Sequence, residues 1–155
     1  MATTSQAGAA SQGFYDEAVE RIEDAGLRLT PQRTAILELF ARRDAHMTPQ
    51  GIFEVLEGEL SSLSLATVYN SLEVFEEIGI VDRVCLDDGQ TYFDPNTTPH
   101  QHAICQKCEA IFDLEVESSA LDEFLETMAS ADAVESRFSV DSVNVWLKGL
   151  CADCQ

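Results

Sequence analysis

The sequence predicts an α+β chain in two parts, a winged helix-turn-helix domain followed by a small α/β domain. Three observations carry this. Apolar residues recur at helical spacing through residues 14–79, between strong helix-start signals. Two short β-prone runs around a glycine turn come next, and the last third alternates in period two around a pair of C-x-x-C motifs.

Residues 1–13, "MATTSQAGAASQG", are rich in Ala, Ser, Gly and Gln and are expected to form a flexible tail. "FYDEAVERIEDAG" places Val19 and Ile22 on one helical face and stops at Gly26, a C′ residue. Thr30-Pro31 and Thr48-Pro49 then each open a helix, with the threonine hydroxyl as N-cap and proline at the first helical position. A fourth helix follows in "SLATVYNSLEVFEEIG", from Ser64 as N-cap to Gly79, with Val68, Leu72 and Phe75 as its buried stripe. "IVDRVCL", the turn "DDG" and "QTYF" read as a hairpin, the wing. These elements make a winged-helix domain over residues 14–94, and "PNTTP" at 95–99 is a hinge.

Residues 100–155 form the second domain: a strand around "HAIC", another in "AIFDLEV", a helix from Ser119 with Leu121, Phe124, Leu125 and Met128 in register, and a strand in "SVNVWLKG". In that last strand Val143, Val145 and Leu147 alternate with Asn144 and Trp146. The unit is small for a self-sufficient core, so burial against a second copy is expected, which makes it a dimerisation domain.

Of 155 residues, 28 are acidic and 9 basic, a formal net charge of −19, and the only lysines are Lys107 and Lys148. Taken alone this argues against a nucleic-acid partner, because phosphate is held by Lys and Arg. It also fits a salt-rich cytoplasm, where screening mutes self-repulsion. No apolar run reaches the length of a membrane span and no signal peptide opens the chain, so a soluble cytoplasmic protein is expected.

Four of the five cysteines form two pairs, Cys105 with Cys108 and Cys151 with Cys154. Two C-x-x-C turns fit a tetrahedral zinc whose shell is closed by sulfur and therefore structural. The competing reading is a pair of redox motifs or unconnected buried thiols. Cys85, alone in the hairpin, reads as a small core residue rather than a ligand.

With zinc satisfied by sulfur, the histidines are free for another ion. His100 and His102 stand two residues apart, on one side of an extended segment. The nearest acidic residues are Asp94 and Asp113, and the remaining histidine, His46, precedes the Thr48-Pro49 helix start. Nitrogen and oxygen donors suit Fe²⁺ or Mn²⁺ and also accept Zn²⁺. The bland alternative is a solvated H-x-H loop.

The stretches "LRLTPQRTAILELF", "AHMTPQGIFEVL", "SLATVYNSLEVFEEIGIV", "YFDPNTTPHQHAICQKC" and the terminal "CADC" together resemble the ferric uptake regulator family, in the same order and at similar spacing from about Gly26 onward. The resemblance implies a homodimeric, metal-dependent transcriptional repressor and not an enzyme. It implies structural zinc on Cys105, Cys108, Cys151 and Cys154, and a regulatory Fe²⁺ or Mn²⁺ on His46, Asp94, His100, His102 and Asp113. Aspartate at Asp113, where iron-uptake regulators tend to carry glutamate, points to the peroxide-sensing branch. There bound Fe²⁺ reacts with hydrogen peroxide, His46 or His100 is oxidised, and DNA is released.

On the fourth helix, Ala66, Thr67, Tyr69 and Asn70 are candidates for the major groove of an operator. Arg28 matches a basic residue the family uses near the minor groove, and Arg33 is a phosphate candidate. For each of these the competing reading is a solvated helix surface. Charge is the departure: residues 1–83 hold six arginines against 14 acidic residues, and Glu73 and Glu77 lie on the exposed side of the same helix. The alternatives are an iron or manganese uptake regulator and, from another class, a winged-helix interaction module that does not bind DNA. A metal-dependent hydrolase ranks last, since no general base or small-molecule substrate cleft is visible.

Overall fold

The structure is a computed structural model that describes residues 6–43, 46–86, 89–98, 100–114, 119, 123–124, 126–127 and 145–155. The chain divides into two compact units, Met1–Thr97 and Thr98–Gln155. The architecture is α+β.

The first unit carries α1 (Gln6–Asp24), α2 (Pro31–Arg43), α3 (Pro49–Leu56) and α4 (Leu65–Glu77), then a wing of β1 (Asp82–Cys85) and β2 (Thr91–Asp94). The capping signals are used as chemistry dictates. Thr30 Oγ1 accepts from Arg33 N, Thr48 Oγ1 from Gly51 N at 3.0 Å and Ser64 Oγ from Thr67 N at 3.2 Å. Gly26 (φ 68°) and Gly79 (φ 73°) end α1 and α4 in the left-handed region. At each, a pair of backbone bonds closes the helix: Leu27 N to Ile22 O with Gly26 N to Glu23 O, and Ile80 N to Phe75 O with Gly79 N to Glu76 O. Arg21 reaches across from α1 and donates from Nη1 to Gly79 O at 2.7 Å, placing a cation where the α4 dipole is negative.

The core of this unit is the convergence of the helical stripes with the wing. Ile22, Ile36, Leu37, Phe40, Ile52, Leu56, Val68, Leu72, Phe75, Val81 and Phe93 are all buried, and Phe14 meets the Phe40 ring edge-on. The stripe expected on α4 is the buried one. Two expectations give way. Residues 6–13 are helical rather than a loose tail, because Ala7, Ala9, Ala10 and Gln12 favour helix and extend α1 backwards. Cys85 is exposed rather than in the core, since the β1 alternation turns Val84 inward and its neighbour out.

The second unit is a three-stranded sheet of order β4-β3-β5, from β3 (Gln101–Cys105), β4 (Ile111–Leu114) and β5 (Trp146–Gly149). β3 pairs antiparallel with β4 and parallel with β5. Pairing fixes the faces. Asp113, His102 and Trp146 form one row across the sheet; Phe112, Ala103 and Leu147 form the next, on the opposite face. Ser119, Glu123, Phe124, Glu126 and Thr127 are helical, whereas Leu121, Leu125, Met128, Val143, Asn144 and the turn aspartates Asp87 and Asp88 lie outside the described residues.

Candidate metal centres

β3 ends at Cys105, and the chain turns back through residues 106–110 with Cys108 inside the turn. Glu109 N donates to Cys105 O at 2.9 Å and Cys105 N to Ala110 O at 3.0 Å, which takes Glu109 to φ 61°. The parallel neighbour β5 delivers Cys151 to the same end of the sheet, and Cys154 N donates to Cys151 O at 3.0 Å. The four sulfurs lie within 4.8 Å of one another, with Cys108 Sγ and Cys151 Sγ 3.8 Å apart. A tetrahedral zinc with ~2.3 Å bonds needs sulfurs ~3.8 Å apart; a disulfide needs ~2.05 Å. The spacing therefore fits a shared ion.

The electrostatics agree. Cys151 N donates to Cys105 Sγ at 3.4 Å. That N–H, then those of Cys108 and Lys107, hold the Cys105 thiol down at about 6 against the opposing effect of burial. The Cys151 and Cys108 thiols beside Cys154 push it up to about 12, and burial raises Cys151. Four thiolates crowd this volume only with a cation between them.

The nitrogen and oxygen donors fall in two sets. In the first unit, Met47 and Phe93 exchange both backbone bonds, Met47 N to Phe93 O at 3.0 Å and Phe93 N to Met47 O at 2.9 Å. This bridge sets His46 opposite Asp94, and His46 Nε2 lies 3.1 Å from Asp94 Oδ2. The second oxygen, Asp94 Oδ1, accepts from Asn96 N at 2.9 Å, so the buried carboxylate is held at both ends.

In the second unit, His100 Nδ1 is 2.7 Å from Thr98 O and acts as donor to it, which directs Nε2 toward Asp113 Oδ1 at 3.6 Å. The His100 and His102 rings meet edge-on, 4.4 Å between centroids. His102 lies opposite Asp113 in the ladder, and on its other side the Trp146 ring stacks on it, 4.7 Å away and inclined by 17°. Trp146, which the strand alternation turns away from Val145 and Leu147, thus has a partner that the one-dimensional pattern did not reveal.

The candidate DNA contacts all sit in the first unit. Ala66, Tyr69 and Asn70 are exposed on α4. Thr67 is partly committed to the cap, its hydroxyl 2.8 Å from Ser64 Oγ. Arg28 is exposed, whereas Arg33 Nη1 donates to Arg28 O at 2.8 Å and so braces the segment before α2. A groove of about 540 Å³ runs between α4 and the wing, with Tyr69, Glu73, Arg83 and Thr91 among its walls. Arg83, on the wing, lies over the Phe93 ring, 5.5 Å from its centroid, and pairs with Glu76 at 2.6 Å.

The ferric uptake regulator family model matches residues 24–144. The chain belongs to the ferric uptake regulator family. The peroxide operon regulator of Bacillus subtilis (strain 168) is 38% identical over 138 residues, 89% of this chain and 91% of the relative. Among solved structures of family members, the ferric uptake regulator from Francisella tularensis with iron aligns at TM-score 0.69 and 26% identity, covering 83% of this chain and 95% of that one. The peroxide-sensing PerR from Streptococcus pyogenes aligns at TM-score 0.51 and 27% identity, covering 91% and 92%. Family membership accounts for a winged-helix unit and a C-terminal sheet carrying two kinds of donor set. No helix among the described residues is long and apolar enough to cross a membrane.

Proposed function

We propose that this chain is a homodimeric, metal-dependent DNA-binding repressor of the cytoplasm that responds to peroxide. The observation that carries the reading is the segregation of donors by chemistry. Sulfur is gathered at one end of the β3–β5 ladder, while His46 with Asp94 and His100 with His102 and Asp113 offer only nitrogen and oxygen. The first assemblage suits structural Zn²⁺, and the second suits Fe²⁺ or Mn²⁺.

Neither two donors nor three complete the shell of such an ion, and the family pattern assigns all five to one. Because one pair comes from the winged-helix unit, occupancy is then linked to how the reading heads are presented to DNA. Ala66, Thr67, Tyr69 and Asn70 are the proposed base contacts, with Arg28 near the minor groove, Arg33 on phosphate and Arg83 as a further phosphate contact from the wing; Thr67 and Arg33 also hold the cap and the loop. The chemistry a bound Fe²⁺ supplies is reduction of hydrogen peroxide beside its own ligands, with an oxygen ending on the His46 or His100 ring. Dimerisation is assigned to the sheet face bearing Phe112 and Leu147, 45% and 55% exposed, an apolar row that a second copy would cover.

The test is a gel shift with a palindromic A·T-rich operator, with and without Mn²⁺ or Fe²⁺, followed by mass spectrometry of the Fe²⁺ form after peroxide. Metal-dependent binding and an added oxygen on His46 or His100 are expected. Metal-dependent binding that survives peroxide with unmodified histidines would instead identify an iron or manganese uptake regulator, a reading favoured by the likeness to the iron-bound Francisella structure. Failure to bind DNA at any salt would identify an interaction module, which the acidic balance of residues 1–83 favours.

A further inference from the structure

The chain has one tryptophan, and the fold spends it on a histidine. Trp146 stands directly across the parallel ladder from His102, and the register is locked by two bonds: Val145 N donates to Gln101 Oε1 at 2.8 Å and His102 N to Val145 O at 3.4 Å. The indole lies nearly parallel to the imidazole, while His100 meets the same imidazole edge-on and Asp113 faces it from β4. His102 is 9% exposed, so few other rotamers are open to it.

We infer that Trp146 is a positioning residue for a divalent cation on the second unit's histidines, fixing the plane of the His102 ring and reporting occupancy through its own emission. An imidazole that gives a lone pair to a dication becomes electron-poor, and the electron-rich face of an indole attracts it more strongly than the neutral ring. The stack is therefore stronger in the loaded state, and by linkage it raises cation affinity. Groups that orient a ligating histidine typically change metal affinity by about 10–100-fold when removed. The cysteines take no part, because they gather at the opposite end of β3, at and beyond Cys105.

This inference rests on the reading of His100, His102 and Asp113 as cation donors, and the experiment separates the two. The full chain, carrying zinc on its cysteines, is titrated with Co²⁺ and followed both by cobalt ligand-field absorption and by tryptophan emission. The wild type is expected to give both signals with one saturation point. His100→Ala, which leaves the stack intact but removes a donor, should silence the emission response. Trp146→Phe should bind Co²⁺ within about threefold of wild type, and Trp146→Leu about 10–100-fold more weakly at unchanged zinc content and circular dichroism.

A Trp146→Leu variant that binds as tightly as wild type would overturn the inference. So would cobalt absorption in the wild type without any change in emission, while leaving the cation reading in place. No cobalt absorption at all would remove both. Should the leucine variant lose zinc or helix content, the wild-type and His100→Ala emission titrations decide.

Discussion

At the scale of single residues, the two centres are prepared differently. Cys105 sits at about 6 under three backbone N–H groups, whereas Cys154 is pushed up to about 12 by its neighbouring thiols and Cys151 is raised by burial. At pH 7.5 Cys105 is already a thiolate and the other two are still protonated. Zinc uptake by the metal-free chain should then release protons from Cys151 and Cys154 and little from Cys105. Calorimetry in buffers of different ionisation enthalpy measures this, and uptake without proton release would contradict the assignment. Asp94 gives a second prediction. Asp94→Asn keeps an oxygen for Asn96 N but loses the charge beside His46, so affinity for Mn²⁺ should fall at least about tenfold. The thermal midpoint should stay within a few degrees, because the capped turn survives; a fall in stability with unchanged Mn²⁺ affinity would reverse the roles.

Among the elements, helix caps and stops each add a measurable increment to the stability of the first unit. Gly79 ends α4 at φ 73°, and a Cβ there would stand 3.0 Å from Arg21 Nη1. Gly79→Ala should cost about 1–2 kcal/mol through left-handed strain and a disturbed Arg21 contact. Gly13 offers the contrast: it lies within α1 with nothing near its missing Cβ, so Gly13→Ala should add about 0.5–1 kcal/mol. Urea denaturation of the two variants measures both, and equal effects would show that conformation at Gly79 is not what matters. A third variant, Thr48→Ala, removes the N-cap bond to Gly51 and should cost about 1 kcal/mol.

For the whole molecule, charge dominates. A net −19 over 155 residues repels itself, so raising monovalent salt from ~0.01 to ~1 M, which shortens the screening length from ~30 to ~3 Å, should raise the thermal midpoint. Scanning calorimetry in a salt series at constant zinc checks this, and a midpoint flat across the series would show the acidic surface to be neutral for stability. DNA binding meets the same field: six arginines against 14 acidic residues up to position 83 leave few phosphate contacts. A salt slope shallower than that of a basic winged helix is therefore expected.

What the chain determined by itself is local. Helix starts at Thr30, Thr48 and Ser64, stops at Gly26 and Gly79, the α4 stripe, and the grouping of the cysteines all follow from short-range hydrogen bonding, φ preference and periodicity, and family resemblance added the ligand sets. Tertiary structure decided what depends on pairing between distant segments. The Met47–Phe93 bridge sets His46 beside Asp94, the parallel β3–β5 register brings Cys151 to Cys105 and Trp146 to His102, and the wing lays Arg83 between Phe93 and Glu76. Strand register is a long-range choice between segments that are each satisfied in many alignments, so the partner of a side chain such as Trp146 exists only once the sheet has formed.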